Sequence, residues 1–144
     1  MPKQYIILAT NSVLDVPYLP KETVFTPNAP KPVGPYSQAV ICGGMAFVSG
    51  QIPIEPKTGK LVEADLETQT VQVLENIKHI LESINVGLVD IVKTTVFLSS
   101  LTDFAIFNKV YGRYFANNPP ARTTVQAGLL TGVLVEIDVI AKTC

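Results

Sequence analysis

Two charged residues stand where the local pattern is otherwise apolar or stiff. In the last apolar stretch, Val133, Val135, Ile137 and Val139 alternate with Leu134, Glu136, Asp138 and Ile140. Successive side chains of a strand point to opposite faces, so Glu136 sits mid-strand among apolar neighbours. A carboxylate there either reaches solvent on the open face of a sheet or is held, paired, in a cleft. Arg122 follows Pro119-Pro120-Ala121 and opens a strand, so the prolines fix the backbone just before it. Its planar guanidinium can take a carboxylate through two parallel hydrogen bonds, or it can form an ordinary structural ion pair. Three further places hold polar groups beside stiff or open backbone. They are Tyr36 in Gly34-Pro35-Tyr36-Ser37-Gln38, the Ser49-Gly50-Gln51 exit from a strand, and Asn108 among the aromatics of a helix. A glycine at a strand exit lets backbone N–H groups approach a ligand closely. Taken singly, each is equally a turn or a core polar group.

Other chemistries lack their residues. No GxGxxG, Walker loop, HExxH or GxSxG occurs. The one histidine, His79, lies inside a helix between Lys78 and Glu82, which reads as a solvated face. Acyl transfer by a histidine-based triad therefore has no base, and no cluster of metal ligands is apparent.

The elements that must carry these residues follow from periodicity. Residues 26–36 hold Pro27, Pro30, Pro32, Gly34 and Pro35, a loop with little freedom. Ser37–Ile41, the Gly43-Gly44 turn and Met45–Ser49 read as a hairpin, broken by Gly50-Gln51-Ile52-Pro53. A helix starts at Asp65 as N-cap, carries Leu66, Val73, Leu74, Ile77, Ile80, Leu81 and Ile84 at helical spacing, and stops at Gly87. Ile91–Leu98 is a strand, 103–115 a second helix capped from Ser99, Ser100 or Thr102, and Asn117-Asn118-Pro119-Pro120 ends it. Two more strands, Thr123–Ala127 and Val133–Ala141, flank a turn at Leu130-Thr131-Gly132. The order is ββ, helix, β, helix, ββ. That predicts an α+β fold with two helices on one face of a mixed sheet, not a doubly wound nucleotide-binding fold.

The chain has 144 residues, one domain's worth, of which residues 1–23 read as an N-terminal extension and 24–144 as the domain. Apolar residues make up 47% and charged residues only 16%, so much of the surface is not free in solution. Subunit contacts would explain that, as would a large apolar pocket. Net charge is −1 with no basic tract, which argues against holding nucleic acid by its phosphates. Cys42, beside an apolar run, reads as a buried small hydrophobe and Cys144 as an exposed thiol, without a disulfide framework; a reducing compartment fits. No stretch approaches the roughly 20 apolar residues that span a bilayer. Tyr5–Ala9 is too short for a secretion signal and reads as an added strand or arm, so a cytoplasmic location is expected, with a mitochondrial one left open.

In combination these segments resemble the Rid family, also called YjgF or RidA, the reactive imine/enamine deaminases. The resemblance covers about residues 24–141 and runs in order through Gly34-Pro35-Tyr36-Ser37-Gln38-Ala39, Val48-Ser49-Gly50-Gln51-Ile52-Pro53, Val92–Leu98, Asp103-Phe104, Asn108, Tyr111, Phe115, Pro120-Ala121-Arg122-Thr123 and Val135-Glu136-Ile137. It implies a chorismate-mutase-like fold, a homotrimer with clefts between subunits, and cofactor-free hydrolysis of 2-imino acids to 2-oxo acids and ammonia. Carried over, Arg122 would bind the substrate carboxylate and Glu136 would position or activate water. Tyr36, Ser49, Gly50 and Asn108 would line the cleft. The chain departs from the family at Thr124, where cysteine is frequent, and at Leu129-Leu130, where Leu-Pro is usual. The family has also carried an endoribonuclease label, which the near-neutral charge and the placement of His79 do not support. A third reading, a non-catalytic trimer that binds a metabolite in its clefts, needs the arginine more than the acid.

Overall fold

The structure is a computed structural model. It describes residues 19–143, together with the backbone of two short strands before them, β1 (Tyr5–Ile7) and β2 (Val13–Asp15), which pair antiparallel. The rest of the lead-in and Cys144 lie outside the described residues.

The body is a six-stranded sheet covered on one face by two helices. Its strands are β3 (Glu22–Val24), β4 (Ala39–Cys42), β5 (Met45–Gln51), β8 (Ile91–Leu98), β9 (Ala121–Gln126) and β10 (Val135–Lys142), in the spatial order β3-β4-β5-β10-β8-β9. A separate small hairpin joins β6 (Ile54–Glu55) to β7 (Lys60–Leu61). All pairs in the large sheet are antiparallel except β8 with β9. That exception follows from the connection: a helix crosses over between the two strands, which returns the chain in the same direction. The mixed α+β architecture agrees with the sequence expectation.

Helix α1 (Leu66–Glu82) buries the apolar stripe Leu66, Val73, Leu74, Ile77, Ile80 and Leu81. Its first turn is closed by Asp65, whose carboxylate accepts from the Thr68 N–H at 2.8 Å. The helix stops before Gly87. Ser83 caps it, Asn85 takes φ 58 and turns the chain, and Gly87 instead opens a short 3-10 turn, Leu88–Asp90, its N–H donating to Asp90 Oδ2 at 2.9 Å. Asparagine tolerates the left-handed region nearly as glycine does, which sequence reading assigned to the wrong residue. Helix α2 (Phe104–Tyr114) follows a 3-10 turn whose N-cap is Ser100. Among the described residues, no helix is long and apolar enough to cross a membrane.

Two other expectations need correction. Cys42 is exposed, because it ends β4 at the Gly43-Gly44 turn and so lies on the rim of the sheet. Gly50-Gln51 does not break the second strand. Ile137 pairs with Gln51 and Val139 with Val48, so β5 has one residue more than β10 across that interval. This is a β-bulge at Ser49-Gly50, which bends the strand without ending it.

Candidate active site

The expected site residues fall into two groups on opposite faces of the sheet. Alternation along β10 sends Val135, Ile137 and Val139 into the core beneath the helices, and therefore Glu136 and Asp138 to the uncovered face. Along β9 the register pairs Arg122 with Thr94, which faces the helices. Arg122 thus points toward α2, and Glu136 points away from it. Within one copy the sheet separates them. Among the described residues, no carboxylate lies within ion-pair distance of Arg122.

On the helix side, three rings of α2 hold the guanidinium. Its central carbon stands 4.8 Å from the Tyr111 ring centre and 5.6 Å from those of Phe104 and Phe107. These residues sit at i, i+3 and i+7 on one helical face, and their π clouds attract the cation. Tyr111 is itself fixed: its hydroxyl shares a buried 2.9 Å hydrogen bond with Thr94 Oγ1. Burial pushes the Tyr111 phenol above its ordinary pKa, more than the Thr94 bond and the Arg122 charge lower it, so the ring stays neutral under the cation. Asn108 lies one turn away, half-buried, with its amide free of hydrogen bonds to the described residues. Asn108 and Arg122 share the polar end of a groove of about 340 Å³ whose other walls include Phe115, Pro119 and Pro120.

On the uncovered face, the bulge brings Gly50 against Glu136. A methyl group built on Gly50 would overlap the Glu136 carboxylate oxygen and come within 3.1 Å of its carboxyl carbon. Only glycine lets the carboxylate lie flat along β5. Burial pushes the Glu136 pKa above the usual glutamate value, and the Asp138 carboxylate next along the same face adds to it. Gly50 and Tyr36 line one small recess together. The loop that carries Tyr36 is tied down by Gln38, whose buried amide accepts from Thr26 N at 2.7 Å and donates to the Thr26 and Pro30 carbonyls, each at 3.0 Å. Ser49 is a tie rather than a free hydroxyl: its Oγ donates to the Ser37 carbonyl at 2.6 Å. The structure therefore sets Gly50 against Glu136 and in one recess with Tyr36, brings Asn108 and Arg122 together, and does not join the two sets within a single copy.

A profile of the family described as Endoribonuclease L-PSP matches residues 26–143. A solved structure of a Rid-family protein from Yersinia pestis superimposes with a TM-score of 0.83 at 46% identity, covering 85% of this chain and 99% of that one. The chain belongs to the Rid family. Similar Rid relatives include a RutC family protein of Pyrococcus horikoshii, 53% identical over 122 residues, 84% of this chain and 97% of that protein. Another is the 2-iminobutanoate/2-iminopropanoate deaminase of Salmonella typhimurium, 46% identical over 124 residues, 83% of this chain and 96% of that protein.

From the sequence of this Rid chain, Phe104, Phe107 and Tyr111 were only the aromatics around Asn108 on the second helix, not the seat of Arg122. Their i, i+3, i+7 spacing was visible, but the strand that would face them was not. His79 is half-buried rather than on a solvated face, and its Nδ1 is enclosed without a hydrogen-bond partner. It lines a separate groove with Gln72 and Glu75 that neither Arg122 nor Glu136 borders.

Proposed function

We propose that this chain hydrolyses 2-imino acids, such as 2-iminopropanoate and 2-iminobutanoate, to 2-oxo acids and ammonia. The reaction would run in clefts between the subunits of a homotrimer built on a chorismate-mutase-like fold. The observation that carries the reading is Arg122: a half-buried guanidinium, oriented by three rings, with no anion among the described residues to neutralise it. Desolvated charges are normally paired, so a fork held open in this way fits an anionic ligand. The uncovered face supports assembly. Val40, Phe47 and Ile140 form an apolar row across β4, β5 and β10, and Val125 and Phe97 continue from β9 to Glu136. An apolar sheet face of this kind needs another layer against it. The position of β9 at one edge of the sheet supports an Arg122 that meets a second copy's uncovered face.

The chemistry matches these groups. Arg122 binds the substrate carboxylate and, with the Asn108 amide, fixes its orientation. Glu136 of the neighbouring copy accepts a proton from a water as that oxygen bonds to the electrophilic imine carbon, and the C=N π electrons move to nitrogen. Glu136 returns that proton to the nitrogen, giving the neutral carbinolamine; it then carries the hydroxyl proton to the nitrogen, the C–N bond breaks as the carbonyl forms, and ammonia leaves with Glu136 ionised again. A 2-aminoacrylate-type enamine enters after tautomerising to the imine. The test is ammonia release from 2-iminopropanoate generated in situ, compared with the spontaneous rate, on protein whose mass in solution is measured. Acceleration by a trimer is expected. A rate equal to that of buffer alone would overturn the reading.

A further inference from the structure

A second groove lies beside α1, bordered by neither Arg122 nor Glu136, and the reaction proposed above does not use it. One wall is α1 itself, where Gln72, Glu75 and His79 stand at i, i+3 and i+7 on one helical face. The other wall is the loop at Pro27-Asn28 and the turn of the β6–β7 hairpin, which carries Glu55, Pro56 and Lys57. Copies joined through the uncovered face of the sheet leave this groove open, because α1 packs on the opposite face.

The polar groups of the groove differ in what they can still bind. Both Glu55 oxygens are occupied by the hairpin turn, accepting from the N–H groups of Lys57 at 3.2 Å and Thr58 at 2.8 Å. Glu75 is held but not saturated. One oxygen accepts from the Tyr114 hydroxyl at 3.0 Å and the other from the Lys78 ammonium at 3.4 Å, whereas a carboxylate offers about four acceptor sites. Burial first, then the Glu75 bond and charge, push the Tyr114 phenol up to about 12, so this hydroxyl remains a donor and fixes the carboxylate. Gln72 is fixed through its Nε2, which donates to Asn76 Oδ1 at 2.9 Å, and its Oε1 is left without a hydrogen bond to the described residues. The enclosed Nδ1 of His79 has no acceptor to donate to, so the ring proton is better placed on Nε2. Across the groove, the exposed Lys57 ammonium and the Asn28 side-chain amide make no hydrogen bond to the described residues.

A fixed carboxylate with spare acceptor capacity thus borders the same groove as an uncommitted cation. Two carboxylates beside one lining lysine disfavour a phosphate-rich ligand. A zwitterion satisfies both walls: its ammonium donates to Glu75 and to Gln72 Oε1, and its carboxylate accepts from Lys57. Pro27 and Pro56 add apolar surface for a hydrocarbon side chain. At about 30 Å³ per non-hydrogen atom, as in liquid water, leucine takes roughly 270 Å³. The groove measures about 520 Å³ and has room for it. We propose that this groove binds a free α-amino acid with an apolar side chain, at a site separate from the reaction cleft.

The experiment is calorimetric titration of L-leucine into the full chain carrying Arg122→Ala, so that capture of its carboxylate in the reaction cleft cannot supply the heat. Saturable binding of one leucine per chain is expected. N-acetyl-L-leucine lacks the ammonium and L-leucinamide lacks the carboxylate, and each should bind about tenfold more weakly or worse. Adding Glu75→Gln or Lys57→Gln should each weaken leucine binding by about tenfold. Glutamine keeps an acceptor for the Tyr114 hydroxyl and Lys57 is exposed, so neither change should lower the unfolding midpoint. Binding that vanishes with Arg122→Ala belongs to the reaction cleft and overturns the second site. So do equal binding of the three ligands, indifference to both added substitutions, and the absence of any leucine binding. No imine enters the titration, so the result is independent of whether the chain hydrolyses one.

Discussion

Replacing Arg122 separates a ligand-binding arginine from a structural one. In the first case a bound carboxylate accepts two charge-assisted hydrogen bonds, worth about 1.5–3 kcal/mol net each. The lower end applies, because the guanidinium is only half-buried before substrate arrives. Arg122→Ala should then lose about 3 kcal/mol of transition-state binding, roughly a 100-fold fall in kcat/KM, with a raised KM. Arg122→Lys keeps a charge over the rings but loses the fork, and about tenfold is expected. Stability should respond weakly. One cation cannot sit optimally over three rings, so the contacts at 4.8, 5.6 and 5.6 Å together contribute about 1–2 kcal/mol. No carboxylate among the described residues is left unpaired when the arginine goes. The assays are steady-state imine hydrolysis and urea unfolding at one fixed protein concentration. If Arg122→Ala kept its kcat/KM within about threefold while its unfolding midpoint dropped, the arginine would be a structural cation and the reasoning from its missing anion would fail.

Three more outcomes follow from the geometry. Thr94→Val and Tyr111→Phe each strand a buried hydroxyl and should cost about 1–3 kcal/mol of stability, whereas the double variant removes both partners and should cost clearly less than their sum; additive costs in urea unfolding would mean the bond does not hold the ring. Gly50→Ala displaces only the far end of the Glu136 side chain, so its thermal midpoint should change little while kcat falls about tenfold or more with KM nearly constant; wild-type turnover would remove Glu136 from the chemistry. Burial, and to a lesser degree the Asp138 charge, hold the pKa of Glu136 above the usual value, so the ionised form needed to accept a proton is lost at higher pH than for an ordinary glutamate, and Asp138→Asn should move the acidic limb of kcat/KM to lower pH. By linkage, a raised carboxyl pKa contributes stability below the unfolded value and loses it as pH rises through the folded one, so Glu136→Gln should gain stability relative to the parent as pH rises over that window.

What could be read from the chain alone was what local periodicity encodes. The α1 stripe and the alternation around Glu136 are each properties of one segment, and both hold in the structure. The bulge at Gly50 was read as a strand end because the residue count across a strand pair exists only once the partner is known. The seat of Arg122 was hidden for the same reason. It depends on β9 pairing parallel to β8 in the register that sets Arg122 beside Thr94, and no spacing within 121–126 specifies that. Asn85 shows the converse limit: the left-handed residue was sought at a glycine, and the chain turned at an asparagine two residues earlier.

The division of Arg122 and Glu136 between two faces also makes a prediction about assembly. A sheet with its packed side chains is about 10 Å thick, too much for one small substrate to touch both groups through it. If both act on one substrate, they come from different copies. Each cleft then takes its arginine from one subunit and its carboxylate from the next. Arg122→Ala chains still carry a sound Glu136, and Glu136→Gln chains a sound Arg122. Each variant alone should be nearly inactive. Co-refolded in equal amounts as random trimers, about a quarter of the clefts should pair the sound arginine of one chain with the sound carboxylate of another. Activity should therefore return to about a quarter of the parent's per subunit, with unchanged KM, and reach that level only after subunits exchange. A site contained within one copy gives the opposite result, because every chain in the mixture lacks one of its two groups and no exchange can restore it.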